Sequence, residues 1–414
     1  MAIALSVPAL HDQAGEARND IVGIFFLLAG VAIALAQRER GSRLASRTAF
    51  ALGPVVVVGL AAGMAAGTKL NFLLPTAVLV VGIALAAPTG RRWRTLVAGT
   101  VAALAGGGYW YLRNLAHAGN PLPWVKHLGP IILPAPEQAL GGREAHDALG
   151  YLTSGSIWSD WFLPGLHHGL TLFWPLLLIA PIAGLLLCLG RRSDPILRVA
   201  GLVGLSAAIA WLIAPTSASG PDGMPHGFES GLRYLAPALV LGLAVLPAAL
   251  LPRVARWRGS PIAQGARSAS EHTGEGRRDR TRGPLTLAAV FVLAAVVLGY
   301  PLQRHYLEHR YADPSFTTPG LNAAFAWAQD ITDARIATTS TRQYPLYGRD
   351  LSNEVTYVGT EQPHGGFTAP KTCPEWRRLL NAGNYDYVVT SRDRIEPGKP
   401  TYPPTSRWTK GPGV

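Results

Sequence analysis

The sequence predicts an all-α polytopic membrane bundle of about eight transmembrane helices, followed by a small C-terminal α/β domain on the extracytoplasmic side. Three observations carry this prediction. Of the 414 residues, 49% are hydrophobic and only 15% are charged, too apolar a balance for an ordinary soluble protein. Long apolar runs nearly free of charge recur up to residue 300, each close to the length that crosses a hydrocarbon core. The composition beyond Tyr300 then changes to that of a soluble α/β domain.

Taken in order, the apolar runs fall at about 21–36, 49–66, 71–87, 95–112, 169–189, 199–214, 233–251 and 285–300. Several hold fewer apolar residues than the roughly 20 a span needs, so their ends extend into flanking residues. Basic residues alternate between the connecting segments. Gln37–Thr48, Pro88–Arg94, Gly190–Arg198 and Leu251–Pro284 carry clusters such as Arg38, Arg40, Arg43 and Arg47, and the last carries eight arginines from Arg253 to Arg282. The alternate segments carry few: Arg18, Lys69, then Arg113, Lys126 and Arg143, then Arg233. The positive-inside rule places the first set in the cytoplasm and the second outside. A net charge of +12 is therefore topogenic rather than a nucleic-acid footprint. The Arg-, Ser- and Gly-rich stretch 259–283 reads as a disordered cytoplasmic linker within 252–284.

In the tail, Asn322–Gln329 and Pro374–Asn381 read as helices, the second with Pro374 suited to its first turn. Arg335–Thr339, Val355–Val358 and Tyr385–Thr390 read as strands. Cys188 lies in an apolar run and Cys373 in the polar tail, so no disulfide framework follows. No Walker loop, dinucleotide fingerprint, zinc-protease helix or nucleophile elbow is present. The sequence opens without a signal-peptide pattern.

Four groups of residues could carry chemistry. Asp12, Glu16 and Asp20 recur every four residues after His11, one face of a helix, where like charges are tolerated when solvated or when a cation compensates. Lys69 breaks a small-residue helix at Gly67-Thr68-Lys69, where a lysine between two spans must reach the surface or an anion. Trp158, Asp160 and Trp161 precede His167 and His168; such aromatics stack on a sugar ring or anchor at the interface. His226 and Glu229 lead into Arg233 and Tyr234, and Arg233 can present a forked, charge-assisted contact to a phosphate. A divalent metal held by His11 or His226 with an acid is the alternative cofactor reading; no other cofactor is implied. Between these groups lies Tyr109–Trp124, YWYLRNLAHAGNPLPW, where three aromatics close an apolar run and Arg113 and Asn114 face a turn-rich exit.

That string resembles the loop after a middle transmembrane helix in the C-type glycosyltransferase superfamily, polytopic enzymes that take sugars from polyprenyl-phosphate carriers. HDQAGEARND before an apolar run is similar to the superfamily's second external loop, with Asp20 the better match to its acidic residue and Glu16 the weaker. Gly63-x-x-x-Gly67-Thr68-Lys69 looks like its external turn near the carrier phosphate, and Arg233-Tyr234-Leu-Ala-Pro resembles its late helix start. The resemblance covers residues 1–300. It implies a plasma-membrane transferase with a polyprenyl-phosphate-linked sugar as donor, a cell-envelope acceptor and the lipid bilayer as solvent. Asp20 and Glu16 would take the catalytic positions, and Lys69, Arg113, Asn114, Asp160, Arg233 and Tyr234 would bind substrate and phosphate. The superfamily's base lies in a first external loop that has no counterpart here, and its members have eleven or more spans, so about three further N-terminal spans are expected. A non-catalytic, partner-dependent relative is the alternative from another class. A transporter fits less well, because no ionisable residue sits mid-span.

Overall fold

The computed structural model describes residues 20–43, 52–122, 125–128, 130–135, 146–190, 193–258, 319–340, 343–390 and 404–410. His11, Asp12, Glu16, the run 285–300 and the linker beyond Arg258 lie outside the described residues. The chain divides into two compact units, Met1–Tyr109 with Glu144–Gln303, and Trp110–Arg143 with Arg304–Val414. Segment 110–143, read from the sequence as part of the membrane region, thus belongs with the C-terminal unit.

The first unit is helical. Helix α1 is Asp20–Arg43, α2 Leu52–Thr68, α3 Leu73–Ala86 and α4 Arg92–Gly107. Three helices are long and apolar enough to cross a membrane: Asp20–Gln37 of α1, α8 (Pro195–Leu212) and Phe228–Leu250, which runs into α9 (Ala236–Arg258). The described residues hold three helices of full membrane length, or four if the bent pair Gly155–Leu170 and Trp174–Cys188 is one span, with Leu52–Thr68 and Leu70–Ala86 as shorter apolar helices.

Three of the predicted runs are cut differently. The run 95–112 breaks at Gly108, and Tyr109–Ala118 starts a separate helix, α5, so Arg113 and Asn114 sit on a helix rather than in a loop. The run 169–189 breaks at Thr171, where φ is +61°, so α6 (Leu163–Leu170) and α7 (Trp174–Cys188) are bent by 83°. Helix α9 continues through Arg258, taking 252–258 from the predicted linker.

The helices pack closely because small residues line their contacts. A Cβ on Gly63 would overlap the Ala103 carbonyl of α4, and one on Gly59 would stand 2.6 Å from the Gly99 carbonyl oxygen. This is small-xxx-small packing, in which backbones approach without side chains between them. Leu27, Val58, Leu79, Val203 and Leu239 join α1, α2, α3, α8 and α9 in one buried core.

The second unit contains a three-stranded parallel sheet in the order β4 (Glu354–Tyr357), β3 (Arg335–Thr338), β7 (Tyr387–Val389). Adjacent residues of β3 point to opposite faces, as the pleat demands. Ile336 packs with Leu321 and Phe325 of α10 (Pro319–Ala328), and Ala337 packs with the fully buried Trp376 of α11 (Cys373–Gly383). Thr372 caps α11, accepting from the Glu375 N–H, while Glu375 accepts from the Lys371 N–H and the Thr360 hydroxyl. These hydrogen bonds hold the Glu375 carboxyl below its ordinary value. Two antiparallel hairpins complete the unit, β1 (His127–Leu128) with β2 (Ile131–Ile132), and β5 (Thr360–Gln362) with β6 (Gly366–Thr368).

Candidate functional site

Asp20, Lys69, Arg233 and Tyr234 come from three distant parts of the sequence and meet in the first unit. Asp20 opens α1, where its charge complements the helix N-terminus. Lys69 occupies the break after α2: its backbone is extended (φ −164°, ψ 144°), and a single 3₁₀ turn, Leu70–Phe72, leads into α3. The Thr68 hydroxyl donates back to the Ala65 carbonyl, occupying an acceptor of the last helical turn. Gly23, one turn after Asp20, leaves the space that the buried Phe72 ring fills, which brings the start of α1 against the Lys69 turn. Arg233 and Tyr234 lie in the 3₁₀ turn Leu232–Leu235 that leads into α9.

Asp20 is 1% exposed, and cations face both of its oxygens. The Lys69 ammonium donates to Oδ1 at 2.8 Å, and Arg233 Nε stands 3.4 Å from Oδ2. Beneath both cations is the Tyr234 ring, its centroid 4.3 Å from Lys69 Nζ and 4.6 Å from Arg233 Cζ. Arg233 Nη2 also donates to the Tyr234 hydroxyl at 2.7 Å. Among the described residues, two part-buried cations stand against one buried carboxylate, a formal excess of one positive charge. Burying charge is costly unless each partner is paired and hydrogen-bonded. Here Asp20 Oδ2 and Arg233 Nε are both buried without a hydrogen-bond partner, because the 3.4 Å pair lacks hydrogen-bonding geometry. An anionic oxygen placed beside Arg233 would accept from its Nε and balance the charge, whereas Asp20 Oδ2, itself an acceptor, would need a donor.

The remaining predicted residues are placed elsewhere. Arg113 and Asn114 lie on α5 in the second unit, where the Arg113 guanidinium lies 5.8 Å from the Trp110 ring centroid. Asp160 is exposed in a π-helical turn, Trp158–Phe162, and accepts from the Ser159 hydroxyl. That turn sets Trp161 edge-on to His226 at 4.6 Å, and Phe162 in a stack with Phe228 at 4.1 Å. His168 pairs with Glu229 at 3.4 Å, both exposed. Among the described residues, no group of three or more His, Cys, Asp and Glu is placed to hold a metal ion. Glu16 lies outside the described residues.

Sequence reasoning missed Asn71, two residues beyond Lys69, whose buried Oδ1 has no hydrogen-bond partner. It also missed Tyr234 as a platform beneath both cations, since a ring next to an arginine in sequence carries no mark of that geometry. A separate apolar cavity of about 110 Å³ lies between Ala34, Pro54, Ile83 and Pro195. It shares no residue with the charged cluster and stands about 20 Å further along α1. No family model matches the chain, nor does any curated protein or solved structure.

Proposed function

We propose that the chain is a membrane glycosyltransferase of the C-type superfamily, with eight spans, the C-terminal α/β unit outside the plasma membrane, and Lys69 and Arg233 as the cations that receive a carrier phosphate. One observation carries this reading: Lys69 and Arg233, far apart in sequence and each within a string that resembles the superfamily, converge on the same buried carboxylate. In such a transfer the acceptor hydroxyl oxygen bonds to the anomeric carbon. The bond to the phosphate oxygen breaks, and a carboxylate takes the acceptor proton. Cations placed at the leaving phosphate stabilise the charge that develops there. Asp20 holds the two cations apart and oriented until the phosphate arrives, and Glu16 and Asp160 serve the acceptor and the sugar. The donor is a polyprenyl-phosphate sugar and the acceptor a cell-envelope molecule.

A second reading, a non-catalytic membrane module, is favoured by the pairing of Asp20 with two cations, which leaves neither carboxylate oxygen facing open solvent. Transfer assays separate the two. Membranes carrying the protein should transfer label from radioactive polyprenyl-phosphate sugars. Arg233→Lys and Lys69→Gln should each lower donor use by about tenfold to a hundredfold, as loss of one charge-assisted contact predicts. Absence of transfer at normal protein levels would leave the module reading standing. The orientation has its own test: an impermeant thiol reagent should label Cys373 on intact cells.

A further inference from the structure

We infer that the helix Tyr109–Ala118 and the hairpin strands His127–Leu128 and Ile131–Ile132 form a membrane-interface module, an amphipathic helix and an apolar hairpin that together rest on an anionic lipid surface. This goes beyond the transferase reading and rests only on the chain being in a membrane. Helix α5 buries none of its residues. Tyr109, Leu112, Leu115 and Ala116 fall on one helical face, and Leu112 and Leu115 are 60% and 50% exposed. Arg113 and His117, four apart, lie on the other side beside Asn114 and Trp110. This sidedness, with three aromatics at its start, is the pattern of helices that lie in the plane of a bilayer surface.

A second apolar element stands in the same segment. Ile131 and Ile132 of β2 are both exposed, Ile132 at 77%. Both isoleucines stay mostly exposed in the described fold, Ile132 the more so. The two elements are tied together by Asn120, which is fully buried: its Nδ2 donates to the carbonyls of Val125 at 3.1 Å and Pro134 at 2.8 Å, and its Oδ1 accepts from the Leu122 N–H. These bonds clamp the end of α5, where Gly119 adopts φ +70°, to both sides of the hairpin. The occupant follows from charge. Between Tyr109 and Ala135 there is no Asp or Glu, but there are Arg113 and Lys126. An apolar, cation-bearing surface suits anionic headgroups above acyl chains.

The test uses the whole protein in phosphatidylcholine–phosphatidylglycerol liposomes, with a fluorophore on single cysteines in a Cys373→Ser background, Cys188 being buried. Labels at Leu115→Cys and Ile132→Cys should be quenched by lipids spin-labelled near the headgroup, at least about twofold more than a label at His117→Cys. A label at Leu202→Cys, on the exposed side of membrane-length α8, reports insertion itself and should be quenched by deep spin labels. Quenching at Leu202 with none at Leu115 and Ile132 would overturn the interface module and leave the membrane reading intact. No quenching at Leu202 would overturn both. Asn120→Ala should lower quenching at Ile132 while sparing Leu115, and no change at either site would overturn the clamp.

Discussion

Asn353 and Asp20 are both buried polar residues, one in each unit, and their surroundings differ in kind. Asn353 is 3% exposed and fully served: its Oδ1 accepts from the Ala334 N–H, and its Nδ2 donates to the Ile331 and Leu346 carbonyls. It stitches the turn before β3 to the turn before β4, and no atom of its amide is left over. Asp20 is more deeply buried, yet one of its oxygens and the Nε of its arginine partner lack hydrogen bonds. Complete satisfaction marks a group that fixes structure. The shortfall at Asp20 and Arg233 leaves two buried polar atoms unserved, which costs stability.

Substitutions sharpen this contrast, beginning with the largest effect. Asp20→Ala leaves Lys69 and Arg233 facing one another with no counter-charge, and should destabilise the first unit by about 3 kcal/mol or more. Added inorganic pyrophosphate should recover part of that loss, read as thermal unfolding in detergent. The same addition should do nothing for a variant of Asn353, and equal recovery in both would break the comparison. Gly63→Val tests packing without charge. Its side chain overlaps the Ala103 carbonyl, so α2 and α4 must separate, at about 3 kcal/mol and with no response to pyrophosphate. Asn353→Ala strands one donor and two acceptors in the second unit and should cost about 2 kcal/mol, seen as earlier unfolding of that unit.

The smallest effect concerns Glu375. Its folded value lies below the ordinary 4.5 because the Lys371 N–H and Thr360 hydroxyl bond its charged form. The stabilisation is therefore present above about pH 4.5 and is lost as pH falls through the folded value. Glu375→Gln should lower stability slightly at neutral pH and flatten the acid limb. An acid limb identical to that of the parent would remove Glu375 from the account.

Much of the fold was legible because period and composition are local properties. The apolar runs near α1, α8 and α9 announced long helices, and β3, β4 and β7 lie within or beside the strands read at 335–339, 355–358 and 385–390. The break at Lys69 was legible as well, since a cation between two apolar runs has nowhere to go inside a helix. Breaks at Gly108 and Thr171 were not. Neither break disturbs hydropathy, so the apolar runs pass through both without a mark.

By itself the sequence determined that apolar runs of helical length recur up to about residue 300, which charges stand between them, and where the strands of a small α/β domain follow. It also singled out Asp20, Lys69, Arg233 and Tyr234 one by one. Only the tertiary structure decided that these four meet, that Tyr234 lies under both cations, and that Arg113 belongs to the other unit. The reason is physical. Hydropathy and helix signals act over a few residues, whereas Asp20 reaches Lys69 only because Gly23 admits the Phe72 ring, a contact across 49 residues of chain that no local pattern records.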